Sequence, residues 1–231
     1  MDLKKFGTHF FKKGFTLSEV LITLVIIGII AAMTIPTLIN KTQNNEFVSK
    51  FKKNYSVFSQ ATRLITMEEG NPKGGWASST SNIYNMYKKH LNIAKDCGNG
   101  RGCFAQLASN CTGTVCGFKA YNTGNPSINN YELNQSFYKF ILSDGTQVAF
   151  NDGNYPDCNH DEHGSTGMCS AIIIDVNGEK GPNTWGRDVY YFALKADGLY
   201  PGGCDTGNLC GPDKNGEGCA CRVLRENAIN Y

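Results

Sequence analysis

Several absences bound this 231-residue chain before any motif is read. No charged side chain lies between Val20 and Ile39, and only Thr23, Thr34 and Thr37 are polar there. A surface helix of a soluble protein would carry charge on one face, so this run needs an apolar surrounding. No cysteine precedes Cys97, although ten follow from there on. No excess of one charge exists either. Lys and Arg number 22 against 20 Asp and Glu, for a net charge of +2. That leaves no global basic field for nucleic acid or anionic lipid. The chain has no G-x-S-x-G, no Walker loop and no H-E-x-x-H, so nothing in it suggests an active site. It also lacks internal repeats of fixed period and low-complexity tails.

What is present begins with that uncharged run. Its twenty residues, VLITLVIIGIIAAMTIPTLI, rise about 1.5 Å each in a helix and span roughly 30 Å, one bilayer core. Glu19 stands immediately before it, and a carboxylate at that depth is costly without a partner. Ahead lies a basic leader with Lys4, Lys5, Lys12 and Lys13, ending in Gly14 before Phe15. By the positive-inside rule the leader stays cytoplasmic and the bulk of the chain lies outside the inner membrane. An ordinary signal peptide has a shorter apolar core and a small-x-small cleavage site. Here only Ala32-x-Thr34 imitates one. A plain signal anchor does not account for an acid at the fifth position after a Gly-Phe junction.

The sequence Lys12-Lys13-Gly14, then Phe15-Thr16-Leu17-Ser18-Glu19, then the apolar run with Pro36, resembles the N-terminus of the type IV pilin-like proteins. These include type IV pilins and type II secretion pseudopilins. The resemblance covers the leader, junction and apolar helix, and the rest of the chain only loosely. It implies cleavage after Gly14 by a membrane-embedded prepilin peptidase and N-methylation of Phe15. It implies that Glu19 meets the N-terminal ammonium of Phe15 on a neighbouring subunit, a register signal of weight in low dielectric. It further implies a ladle shape, an inner-membrane assembly platform, pilin-like partners and a structural, non-enzymatic role.

The expected organisation is a leader (1–14), a transmembrane and assembly half of a long helix (15–39), its amphipathic half (40–69) and a globular α+β domain (70–231). Without the leader, 18 basic and 19 acidic residues remain, a net charge of −1. Phe47, Phe51, Tyr55, Phe58 and Ile65, with Val48, Ala61 and Leu64 alongside, form one helical stripe. Lys50, Lys52, Lys53 and Gln60 fall on the wet face. Gly70-Asn71-Pro72 ends the helix. Phe15 to Glu69 would make roughly 80 Å of helix, too long for the domain to bury, so its first half should protrude. Pro36 predicts a kink and Gly28 a second soft point, either as a harmless bend or as a point that melts in a filament.

Residues 71–81 should form a linker, followed by a short helix over Asn82–Lys95 capped by Asn82. YKFIL and QVAF predict a hairpin turning at Asp144-Gly145, SAIIIDV a buried strand and DVYYFAL the next. The last ten residues suit a short helix or an edge strand. The fold class is therefore α+β: a long helix packed by its stripe on an antiparallel sheet, in a disulfide-rich domain.

The ten cysteines, in an exported domain, favour disulfides. Close spacings suggest Cys97 with Cys103, Cys111 with Cys116, and Cys204 with Cys210. Cys219 and Cys221 are too close to bridge each other, and sequence alone leaves the connectivity open. Cys158-x-His160-x-x-His163 with Cys169 can be written as a zinc set, but a Cys158–Cys169 disulfide is simpler. Asp175, Asn177, Glu179, Asn183 and Asp188 collect oxygen ligands in one loop. Two readings stand there: a β-turn at Asn177-Gly178, or a structural calcium site. A calcium loop also occurs in some type II pseudopilins. Eleven Tyr and 13 Phe would suit base stacking, but without a basic patch core packing accounts for them and nucleic acid is not expected.

Three functions are carried forward. The first is a structural subunit of a type IV pilus-like filament, made as a single-pass inner-membrane prepilin with a periplasmic globular domain. The second is a pseudopilin of a type II secretion system. The third is a membrane-tethered extracellular binding protein, which predicts a ligand pocket and no polymer.

Overall fold

A computed structural model describes residues 14–108, 117–125, 131–151, 155–206 and 209–231. The chain divides into two compact units, one ending at Thr42 and the other running from Gln43 to Tyr231. Helix α1 (Leu17–Glu69) contributes to both.

In the first unit the described residues after Thr16 are helix. The apolar side chains stand in the open: Leu17 is 78% exposed, Met33 73% and Leu38 65%. Two of the three hydroxyls in the run turn to the helix backbone. Thr23 Oγ1 donates to the Val20 carbonyl at 2.9 Å, and Thr34 Oγ1 to that of Ile30 at 3.0 Å. Hydrocarbon demands such internal satisfaction. The helix runs through Pro36 without a break.

In the second unit α1 buries Phe47, Val48, Phe51, Asn54, Phe58, Ala61, Thr62 and Ile65. Tyr55 is partly covered, whereas Leu64, placed beside the stripe by its spacing, is 47% exposed. Thr62, on the other flank of the stripe, is buried instead, and its hydroxyl bonds both the Phe58 carbonyl at 2.8 Å and the Tyr87 hydroxyl at 2.5 Å. Lys52 and Lys53 reach off the helix to Asn227 and Asp144.

The segment expected to be a plain linker contains a 3₁₀ turn, Trp76–Ser78, that buries Trp76 in the core. Helix α2 spans Thr80–His90 rather than Asn82–Lys95. Ser79 is its cap, accepting from the Asn82 N–H at 3.1 Å, while the Asn82 amide bonds the Trp76 carbonyl. Leu91 ends it in extended conformation, and Ala94 belongs to a strand, β1 (Ile93–Gly98). A short helix α3 (Ala105–Ala108) follows.

Then come β2 (Tyr138–Leu142), β3 (Gln147–Phe150), β4 (His160–Glu162), β5 (Ser165–Asp175), β6 (Val189–Lys195) and β7 (Gly198–Pro201), with α4 (Ala220–Glu226) last. Among the described residues these make one antiparallel seven-stranded sheet of order β1-β2-β3-β5-β6-β7, with β4 hairpinned onto β5. β2 and β3 turn at Asp144-Gly145, where Thr146 N–H bonds Asp144 Oδ1 at 3.0 Å.

Both faces of the sheet are covered, which is why β5 and β6 are apolar without alternation. Ile172, Ile174, Tyr190, Phe192 and Leu194 face α1 and α2. Phe51 packs on Tyr190 with ring centroids 4.5 Å apart, and Phe58 on Phe192 at 5.7 Å. Ala171, Ile173, Val189, Tyr191 and Ala193 face a second cluster with Phe104, Phe118, Tyr131, Phe137 and Trp185. The buried Glu132 and Lys139 anchor that cover. Glu132 accepts from the Gly102 and Phe104 N–H groups, and Lys139 Nζ donates to the carbonyls of Glu132 and Asn134.

Four disulfides are present among the described residues. Cys97 bonds Cys103 and Cys158 bonds Cys169. The Cys204–Cys210 pairing suggested by spacing is replaced by Cys204–Cys221 and Cys210–Cys219, with Cα separations of 5.2 and 4.7 Å. Folding brings the start of α4 back to the strand end, where Cys221 N–H bonds the Gly202 carbonyl at 3.0 Å. Cys111 and Cys116 lie outside the described residues.

Candidate functional site

The junction sits in the open. Phe15 is 88% exposed, and a Cβ built on Gly14 meets nothing within 4 Å. Neither crowding nor a left-handed backbone demands glycine at that position.

Two residues on, the chain enters α1 through a reciprocal cap. Glu19 N–H donates to Thr16 Oγ1 at 3.2 Å, and the Glu19 carboxylate accepts the Thr16 N–H at 2.8 Å and its hydroxyl at 2.7 Å. Thr16 also accepts the first helical bond, from Val20 N–H at 3.2 Å. This is a capping box: two orphan donors of the first turn are satisfied by each other's side chains. The Thr-x-x-Glu spacing carries this signal in the sequence. Glu19 is thus held at the start of the apolar helix, and beyond it Pro36 lies within the same exposed stretch.

The chain carries the prokaryotic N-terminal methylation motif at residues 11–35. This prepilin-type motif is a hallmark of type IV pilin-like proteins, which are structural rather than enzymatic. It spans the Gly14-Phe15 junction, the capping box and most of the apolar run. Comparison with curated proteins and with solved structures finds no match. The motif and the apolar helix together point to anchoring in the inner membrane, to processing by a prepilin peptidase and to assembly with other pilin-like subunits.

The oxygen-rich loop lies between β5 and β6, far along the chain from the methylation motif. Asp175 and Asp188 are both fully buried, and their backbones are adjacent, with Val176 N–H on the Asp188 carbonyl at 2.9 Å. Asp175 Oδ1 caps the Asn177-Gly178 turn, accepting from those N–H groups at 3.2 and 3.0 Å. Asp188 accepts the Asn183 and Thr184 N–H groups at 2.8 and 2.7 Å. Gly178 has φ +65°, and a Cβ there would stand 2.5 Å from the Gly145 carbonyl, so only glycine fits where the two turns meet. The β-turn is therefore real.

Turn formation does not use every oxygen, however. Asp175 Oδ2, Asn177 Oδ1 and Asn183 Oδ1 are buried with no hydrogen-bond partner. Burial, then the neighbouring Asp188 charge, pushes the Asp175 carboxyl well above the ordinary range, against the turn N–H groups and Lys50. Burial likewise raises Asp188, against the N–H groups of Thr184 and Asn183. Three orphaned oxygens thus stand in a loop that also holds two buried carboxylates. Glu179, by contrast, is exposed. No group of three His, Cys, Asp or Glu side chains gathers for a metal among the described residues, so a cation here would lean on amide and backbone oxygens.

The zinc alternative loses its thiolates to the Cys158–Cys169 bond. Its histidines serve Glu162 instead: His160 Nε2 lies 3.3 Å and His163 Nε2 2.9 Å from that carboxylate. His163 Nδ1 also meets Glu217 Oε2 at 2.8 Å.

Proposed function

We propose that this chain is a structural, non-enzymatic subunit of a type IV pilus-like filament. It is made as a single-pass inner-membrane prepilin with its leader in the cytoplasm and its globular domain in the periplasm. Cleavage after Gly14 and N-methylation of Phe15 mature it, and its apolar helices bundle into the polymer. The supporting observation is the coincidence of the methylation motif with a helix whose uncharged residues 20–39 lack a protein cover. A surface of that kind needs either lipid or other copies of itself. In the membrane-held monomer the capping box satisfies Glu19. In the polymer the same carboxylate has lone pairs left for a neighbour's Phe15 ammonium.

The loop between β5 and β6 supports a second reading, a pseudopilin of a type II secretion system. On either reading we propose that Asp175, Asn177, Asn183 and Asp188 hold a structural calcium ion. When bound, the ion would neutralise the two buried carboxylates and fix the loop against the β2–β3 turn.

The filament reading is tested by shearing and pelleting filaments from cells that make the chain with a complete assembly machinery. The wild-type chain is expected in the pellet. Glu19→Ala is expected to stay in the membrane fraction, processed but unassembled. Equal recovery of the variant in the pellet contradicts the role given to Glu19, and absence of both chains from the pellet contradicts polymerisation.

A further inference from the structure

The face of the sheet turned away from α1 holds a cavity that neither processing nor assembly uses. Its volume is about 240 Å³, room for one small ring molecule rather than a drug-sized ligand. Ala171 and Ile173 of β5 form the floor, and Tyr131, Phe137 and Trp185 form aromatic walls. These walls are fixed by one another: Tyr131 lies 4.8 Å from Phe137 and 6.5 Å from Trp185, ring centroid to ring centroid. Tyr191 closes one side, its hydroxyl held by Ser165 at 2.9 Å and by the His163 carbonyl at 3.0 Å.

Its polar groups point to the ligand. Trp185 is 4% exposed, lines the cavity, and leaves its indole Nε1 buried without an acceptor. A buried N–H with no partner is rare and calls for one. The Glu162 carboxylate is clamped between His160 and His163, each of which takes one oxygen, so lone pairs remain for a donor. Asn134 commits its Oδ1 to the Ser136 N–H at 2.9 Å, which leaves its amide donors. At the rim Tyr155 stacks flat on His160, with centroids 3.8 Å apart and planes 2° apart. His163 shares its charge between Glu162 and Glu217, so the cavity has no uncompensated positive charge with which to hold an anion.

Aromatic walls suit the C–H face of a ring. Mixed donors and acceptors suit hydroxyls, which both give and accept hydrogen bonds. We propose that this cavity binds one neutral pyranose sugar, with Trp185 Nε1 and Glu162 bonding its hydroxyls. The proposal does not depend on whether the chain polymerises.

The test uses the full chain in a detergent without a sugar headgroup. Glucose, galactose, mannose, N-acetylglucosamine and N-acetylgalactosamine are each titrated to roughly 50 mM and followed by saturation-transfer NMR. That range covers single-ring dissociation constants of about 1 mM. At least one sugar is expected to bind saturably, and Trp185→Phe to weaken it about tenfold with far-UV circular dichroism unchanged. If that variant does not fold, Glu162→Gln serves in its place. Competition by an oligosaccharide ending in the same sugar identifies a glycan end as the source. Failure of that competition, with the monosaccharide still bound, identifies free sugar. No saturable signal from any of the five sugars overturns the proposal, and so does a folded variant that binds as tightly as wild type.

Discussion

His163 bridges the carboxylates of Glu162 and Glu217, and so ties the β4–β5 turn to the last segment of the chain. Burial opposes its charge, but the hydrogen bonds to Glu162 and then Glu217 outweigh that and push its pKa to about 9, from an ordinary 6.5. The folded state therefore holds this proton more tightly than the unfolded chain does. Its stabilisation is complete below about pH 6.5 and is lost as pH rises towards about 9. The thermal midpoint should fall across that window, and His163→Gln should remove that part of the slope while costing most below pH 6.5. An unchanged slope in the variant would contradict the bridge. At the same scale, Glu19 shows how one residue can satisfy two patterns. Its place after the Gly-Phe junction suggests a partner on another subunit, yet the Thr16-x-x-Glu19 spacing also spells a local cap, and the folded chain makes the cap. Both signals are legible in the sequence. Only the local one can be realised within a single chain.

Among the elements, those set by local periodicity were readable. The α1 stripe, the β2–β3 hairpin and strands β5 and β6 lie where the spacing of apolar residues puts them. What escaped was set by contacts distant in sequence. Leu64 has the right spacing but stays exposed, while Thr62 on the other flank is buried against the Tyr87 hydroxyl, and Ser79, three residues before Asn82 and directly after the Trp76 turn, is the cap. The pairing of Cys204 with Cys221 depends on where α4 folds back. Most of the second cover of the sheet, including Tyr131 and Phe137 of the aromatic cavity, comes from residues between β1 and β2, which have no periodicity to read. The loop between β5 and β6 was legible as a collection of oxygens, but its burial and its orphaned atoms were not. For this loop the expected outcome is that calcium raises the thermal midpoint of the full chain over its value in EDTA. At about a hundred times the dissociation constant the gain is about 2.7 kcal/mol, or roughly 5–10 °C for a domain of this size. Asp175→Asn should abolish the gain. Equal midpoints of the wild-type chain in EDTA and calcium would show that the orphaned oxygens hold no cation.

For the whole molecule the central claim is that one chain passes through two environments. As a precursor its uncharged helix is solvated by lipid, and as a subunit by the helices of other copies. On the function proposed above the switch between the two is proteolytic: cleavage after Gly14 would create an ammonium at Phe15, the partner proposed for Glu19 of another copy. The structure makes this testable without a folding artefact. Gly14 is exposed, has open space around it and adopts no left-handed conformation, so alanine there should leave the fold intact. The most direct measurement is the intact mass and N-terminal sequence of the membrane-fraction protein, with wild type beside Gly14→Ala. The account predicts a wild-type chain that begins at N-methylated Phe15 and a variant that keeps its leader. A wild-type chain that retains Met1, or that begins beyond the apolar run, would contradict it.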